Sequence, residues 1–173
     1  MNKKGESVIV ALYLAAVVAA NLTVAAFGPS VTVVNAFLLI GFDLTSRDYL
    51  QQRWEGANLW PRMAVLIGAG GALSYIMNAN AAPIAIASTV SFVASGSLDA
   101  VVFALVGKRV GRMLRWNGTN LVGAGIDSLV FPTLAFGSIL PAIVIGQYLA
   151  KVGGGFLWSV VLTRAVPLRR QAS

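Results

Sequence analysis

The chain has 173 residues, 57% of them hydrophobic and 11% charged, with a mean hydropathy of +0.78. A soluble domain carries about a quarter charged residues, so this chain has too little charge to cover a water-facing surface, and a membrane protein is the first reading. It has neither cysteine nor histidine. That excludes disulfides, thiol nucleophiles, Ser-His-Asp triads and Cys or His metal sites, and we expect no cofactor, no metal and no enzyme activity.

Six apolar runs are each long enough to cross a hydrocarbon core about 30 Å thick. In chain order they cover about 8–27, 31–49, 63–81, 83–106, 119–136 and 140–163. The first has a longer apolar core than the roughly 7–15 residues of a signal peptide, and more runs follow. We therefore expect it to remain as an uncleaved helix. The second ends in "SRDYLQQRWEGANLWPR", the longest polar stretch, where Tyr49, Trp54 and Trp60 favour a membrane interface. No separate soluble domain or linker is visible, so residues 1–173 read as one transmembrane domain.

The connectors alternate. "FGPSV", "NANAAP" and "GSILP" carry no charge. The others are basic: Lys3 and Lys4; Arg53 and Arg62; Lys108, Arg109, Arg112 and Arg115; then Arg164, Arg169 and Arg170. Six spans with both termini in the cytoplasm place all these clusters on one side, as the positive-inside rule requires. The net charge of +7 is thereby explained without a nucleic-acid partner; the expected surroundings are lipid. The fold class expected is all-α, a polytopic integral membrane protein.

Within these runs lie charges that cost roughly 2.5–3.5 kcal/mol each at the bilayer centre. Asp43, Asp99, Asp127 and Lys151 are the deep ones, and Arg47 and Asp48 lie nearer the end of the second run. Ser88, Ser91, Ser95 and Asp99 fall on one helical face, as do Asn120, Gly123, Asp127 and Phe131, and also Asn35, Leu39, Asp43 and Arg47. At 1.5 Å per residue, Asp43, Asp99 and Asp127 sit at about 9, 10 and 12 Å from the basic ends of their helices. Three carboxylate-bearing faces at similar depth are expected to enclose a polar cavity. The serines also suit plain close packing. Asp43 with Arg47 has the spacing of a structural ion pair, and Lys151 has the charge to neutralise Asp127 or Asp99.

Pro132 lies inside the fifth run and withholds an N–H from the Ser128 carbonyl. Gly153, Gly154 and Gly155 in the sixth form either a flexible joint or a close-packing notch. Six helices also divide into two sets of three with opposite orientation, the order of an inverted repeat. "NAFLLIGFDL" and "NLVGAGIDSL" are alike in the way such a repeat requires, or in the way glycine-rich apolar helices are alike by chance.

The segments "GFDLTSRD", "PIAIASTVSFVASGSLDAVVF" and "TNLVGAGIDSLVFPTLAFG" resemble the vitamin uptake transporter (VUT) family, whose best-understood members are queuosine-precursor transporters. The resemblance runs from about Asn21 to Phe136, and the Asn120…Asp127-Ser128…Phe131 pattern with Asp99 upstream is its strongest part. The chain is shorter than typical bacterial members. It has Asp43 to Asp48 where the family often has an acidic residue and a Tyr-Gly turn.

The resemblance implies import of 7-cyano-7-deazaguanine or its aminomethyl relative across the cytoplasmic (inner) membrane. Asp127 or Asp99 would accept neighbouring N–H donors of a guanine-like edge. Asn120 would donate and accept, and Phe92, Phe131 or Phe136 would stack. Asn35, Asp43, Ser95 and Ser128 complete the candidate binding set; Arg47, Asp48 and Lys151 are candidate ion-pair or gating residues. The alternative is a substrate-binding membrane subunit energised by a separate ATPase module. A homo-oligomer is compatible with either.

Overall fold

The computed structural model describes residues 3–54, 58–106 and 112–165; the side chains of 3, 4, 52, 99–106, 112–120, 163 and 165 lie outside the description. Every element among the described residues is helical. Helix α1 is Lys3–Phe27, and a 3-10 turn over Gly28–Val31 leads to α2, Thr32–Asn35. A π turn at Ala36–Ile40 joins α2 to α3, Gly41–Arg53, as one long helix. Then come α4 (Leu59–Met77), a 3-10 turn at Ala79–Ala81, α5 (Ala82–Val106), α6 (Arg112–Phe136) and α7 (Pro141–Ala165).

The reversals follow local chemistry. Gly28 at φ 68° ends α1, Pro29 follows it, and Gly137 at φ 69° ends α6 four residues before Pro141 opens α7. These are left-handed glycine stops with proline at the next start. Between α4 and α5 the Asn78 side chain accepts the Asn80 N–H at 3.0 Å, a local turn that competes with helix.

Among the described residues, four stretches are apolar and long enough to cross a membrane: Gly5–Gln51, Leu59–Met77, Ala79–Leu98 and Pro141–Leu162. The first has 47 residues and is divided by the Gly28–Val31 turn, its two limbs packing on each other. Leu121–Phe136 is apolar but shorter. The exterior is hydrocarbon, with Phe27, Val65, Ile76, Ile86 and Phe156 exposed, while Asn21, Ser74, Ser91, Asp127, Gln147 and Lys151 are buried. This inside-out distribution is that of a chain solvated by lipid, which has no reason to bury aliphatic groups and strong reason to bury polar ones.

The helices close into a ring. α1 packs on α4 and α3, α3 on α7, α7 on α6, α6 on α5, and α5 on α4. The halves do not pack alike: α1 lies along α4, whereas their counterparts in a three-plus-three repeat, α5 and α7, are not a closely packed pair among the described residues.

The tightest crossing is that of α7 over the π turn and the start of α3. A Cβ on Gly41 would lie 2.7 Å from the Gly154 carbonyl carbon, and one on Gly154 would run into the Phe37 carbonyl oxygen. The two backbones touch, as small residues allow between membrane helices. Within the π turn the Gly41 N–H reaches back to the Ala36 carbonyl. The Leu38 carbonyl accepts the Trp158 indole N–H at 2.9 Å, so α7 satisfies backbone in this stretch. Thr45 adds a hydroxyl bond to the Gly155 carbonyl at 3.2 Å.

The glycine triplet is therefore a notch within an unbroken helix. Pro132 likewise sits inside a continuous α6, buried among neighbours that hold the helix together.

Only the middle glycine of the triplet meets backbone: a Cβ on Gly153 would make ordinary contact with Phe37 at 3.5 Å, and one on Gly155 meets nothing within 4 Å. Gly154→Ala is therefore expected to lower the melting temperature of the detergent-purified protein by several degrees, with Gly155→Ala unchanged. Equal behaviour of the two variants in a fluorescence-detected thermal scan would refute the notch.

Candidate functional site

Inside the ring lies a recess to which five of the six long helical segments contribute. Asn21 and Val24 come from α1, and Asn35, Ala36 and Ile40 from α2 and the π turn. Ser88 and Phe92 come from α5, Asp127 and Phe131 from α6, and Gln147 and Lys151 from α7. Each lies nearer the uncharged connector of its helix than the basic one. Counted out to its mouth, the recess has about 340 Å³ of empty space. Its enclosed part has room for about one or two waters.

The centre of the recess wall is an ion pair. Lys151 Nζ stands 2.7 Å from Asp127 Oδ2, and both side chains are 2% exposed. An ammonium has three N–H donors. Here all three have acceptors: Asp127, Ser128 Oγ at 3.1 Å and Gln147 Oε1 at 3.1 Å. Asp127 also accepts the Ser91 hydroxyl at its other carboxylate oxygen. Neighbouring helices position these groups: Ser128 follows Asp127 on α6, Gln147 precedes Lys151 by one turn on α7, and Ser91 belongs to the serine face of α5.

A second pair lies on the basic side of the first. Asp43 Oδ2 and Arg47 Nη2 are 3.0 Å apart, an ion pair across one helical turn. The guanidinium lies over the Phe92 ring, 4.6 Å from its centroid, a cation–π contact in a dry setting. The buried Tyr13 hydroxyl sits in the field of Asp43 and Arg47. Asp43 also senses Asp127. Phe92 thus belongs to both layers, lining the recess and bearing the Arg47 cation.

The candidates from the sequence fall into three groups. Asp127, Asn35, Phe131 and Phe92 line the recess. Lys151 lines it too and takes Asp127 as its partner, while Ser128 accepts a hydrogen bond from Lys151 without lining the recess itself. Asn35 spends its amide N–H groups on α1, donating to Thr23 Oγ1 at 2.7 Å and to the Ala20 carbonyl at 3.3 Å, while Phe131 meets Phe136 edge to face.

Asp43, Arg47 and Ser95 lie outside the recess. Ser95 bonds the Phe92 carbonyl at 3.2 Å, and the half-buried Asp48 also makes an interaction. The side chains of Asp99 and Asn120 lie outside the described residues.

Sequence reasoning missed Gln147 and Asn21. Asn21 lines the recess and donates to Ser74 Oγ at 3.0 Å, tying α1 to α4. A lone amide in an apolar helix was the available signal, and for Gln147 the i, i+4 spacing to Lys151 was a second.

Removing one partner of a buried ion pair leaves an uncompensated charge, at a cost of about 3–5 kcal/mol. Lys151→Met is therefore expected to destabilise the purified protein strongly. The double variant Asp127→Leu/Lys151→Met is expected to recover most of that loss, and a double variant no more stable than the worse single would contradict the pairing.

No curated protein and no solved structure matches the chain. A family model does, the one described as "Putative vitamin uptake transporter", and it matches residues 7–166. That span takes in every residue that lines the recess. With several helices long enough to cross a membrane and a polar wall buried among them, the chain is a multi-pass membrane protein and belongs to the vitamin uptake transporter family.

Proposed function

We propose that this protein imports a 7-deazaguanine queuosine precursor, 7-cyano-7-deazaguanine or its aminomethyl relative, across the cytoplasmic membrane. The six long helical segments would be six spans with both termini in the cytoplasm. The charge pattern of the connectors supports this orientation, since every basic cluster then faces one side.

One observation carries the reading: a carboxylate, Asp127, stands on the wall of a recess also lined by two phenyl rings, Phe92 and Phe131. A planar, neutral heterocycle with adjacent N–H donors needs that combination. The carboxylate has lone pairs beyond those used by Ser91 and Lys151, and the rings offer faces for stacking. Because Lys151 balances Asp127, a neutral guest enters without leaving a net charge in the membrane.

The recess as it stands is too small for a bicyclic base, so binding must part the helices around it. Its lining residues sit toward the uncharged connectors, which we read as the outer side. Toward the basic side the way is filled by Arg47, Asp43, Phe92, Tyr13 and Leu50, all buried. Entry from outside, followed by displacement of the Arg47–Asp43 layer, is the alternating access this packing supports. Phe92 couples the two steps because it belongs to both layers.

The test is growth of a host that lacks both precursor synthesis and its own importer, with queuosine in its tRNA as readout. Expression of this chain without any added ATPase is expected to restore the modification from supplied 7-cyano-7-deazaguanine, and Asp127→Ala to reduce it at least tenfold. No restoration, or full restoration by Asp127→Ala, would overturn the proposal; restoration only with an ATPase partner would make the chain the capturing subunit of an energised importer. A C-terminal fluorescent protein that matures only in the cytoplasm is expected to fluoresce, and a dark fusion of normal abundance would overturn the orientation.

A further inference from the structure

Gln147 is 1% exposed and lines the recess. Its Oε1 accepts a hydrogen bond from Lys151 Nζ at 3.1 Å. Its Nε2 has no partner among the described residues. The lysine decides which end of the amide faces it. An ammonium has only donors, so the oxygen must face it and the NH₂ must face away. Lys151 is itself locked, because its three N–H groups are all committed.

The result is a pair of N–H donors held in fixed orientation on a residue that lines the recess, buried and without a partner among the described residues. Buried donors are nearly always paired, and an acceptor on a guest in the recess would complete this one. Its neighbour across Lys151 is Asp127, which can only accept. The wall therefore presents an acceptor and a donor bridged by one lysine.

We propose that Gln147 is a specificity-determining residue that donates through Nε2 to a ligand carbonyl while Asp127 accepts from N–H groups beside that carbonyl. The ligand edge so defined is a lactam edge, C=O next to N–H. The assignment rests on the importer reading above and deepens it. It adds a requirement that Asp127 alone does not impose: the group beside the N–H must be a hydrogen-bond acceptor. Sites built to bond a polar group reject analogues that leave the site's own group unpaired.

The experiment measures uptake of two radiolabelled probes, 7-cyano-7-deazaguanine and its analogue with an amino group replacing the ring carbonyl. The hosts are cells expressing wild type, Gln147→Glu or Gln147→Met at matched membrane abundance. Gln147→Glu keeps the Lys151 contact and replaces the free donor by an acceptor. Gln147→Met keeps the shape and removes the donor without adding charge.

Wild type is expected to prefer the carbonyl probe by tenfold or more. Gln147→Glu is expected to lose that preference or invert it, and Gln147→Met to reduce it to near parity. Wild-type uptake of the carbonyl probe with preference unchanged in both variants would overturn the role of Gln147 and leave the importer reading standing. No wild-type uptake of either probe would overturn the importer reading, and the lactam assignment with it.

Discussion

The fold depends on one constraint: two opposite charges, Asp127 and Lys151, are buried in a chain whose exterior is hydrocarbon. In lipid such charges are tolerated only when paired and hydrogen-bonded. The pair recruits Ser91 from α5, Ser128 from α6 and Gln147 from α7. Three helices are thereby fixed in rotation as well as position. Aliphatic packing alone fixes rotation weakly in a membrane, because lipid tails satisfy a leucine as well as a neighbouring helix does.

The other side of the ring is held differently. At Gly41 and Gly154 two backbones meet, and the π turn beside them gives a carbonyl to Trp158. A π turn adds one residue to a helical circuit and is common at functional sites. Here it lies on the segment that brings Asn35, Ala36 and Ile40 to the recess. It also precedes Asp43 and Arg47 by one to two turns. Close contact outside and re-registration inside occur in the same few residues, so a shift of α7 along its notch would be felt by both charge pairs.

Much of this was legible from residue types and spacing. The apolar runs predicted the long helices within a few residues at most ends, and the serine face of α5 does turn inward, Ser91 finding Asp127. Asp43 and Arg47, one turn apart, do form an ion pair. Spacing left Lys151 a choice of Asp99 or Asp127, and contacts across helices decided for Asp127. The π turn was not legible, since no proline or polar residue marks Ala36–Ile40. Nor was the difference between Gly153, Gly154 and Gly155, which depends on what the facing helix puts opposite each. Pro132 leaves the helix intact because one lost backbone bond is small beside the packing around a buried ring. Gln147 escaped notice because an amide in an apolar helix is usually a packing or capping group, and its free N–H follows only from where Lys151 sends its protons.

The central claim is that the Asp127–Lys151 pair serves ligand recognition as well as folding. Equilibrium binding of labelled 7-cyano-7-deazaguanine to protein purified into lipid nanodiscs tests it most directly, with wild type set against a folded Asp127→Leu/Lys151→Met protein. Saturable binding by wild type that vanishes in the double variant is the predicted result. Undiminished binding by the folded double variant would mean that the ion pair only holds helices together.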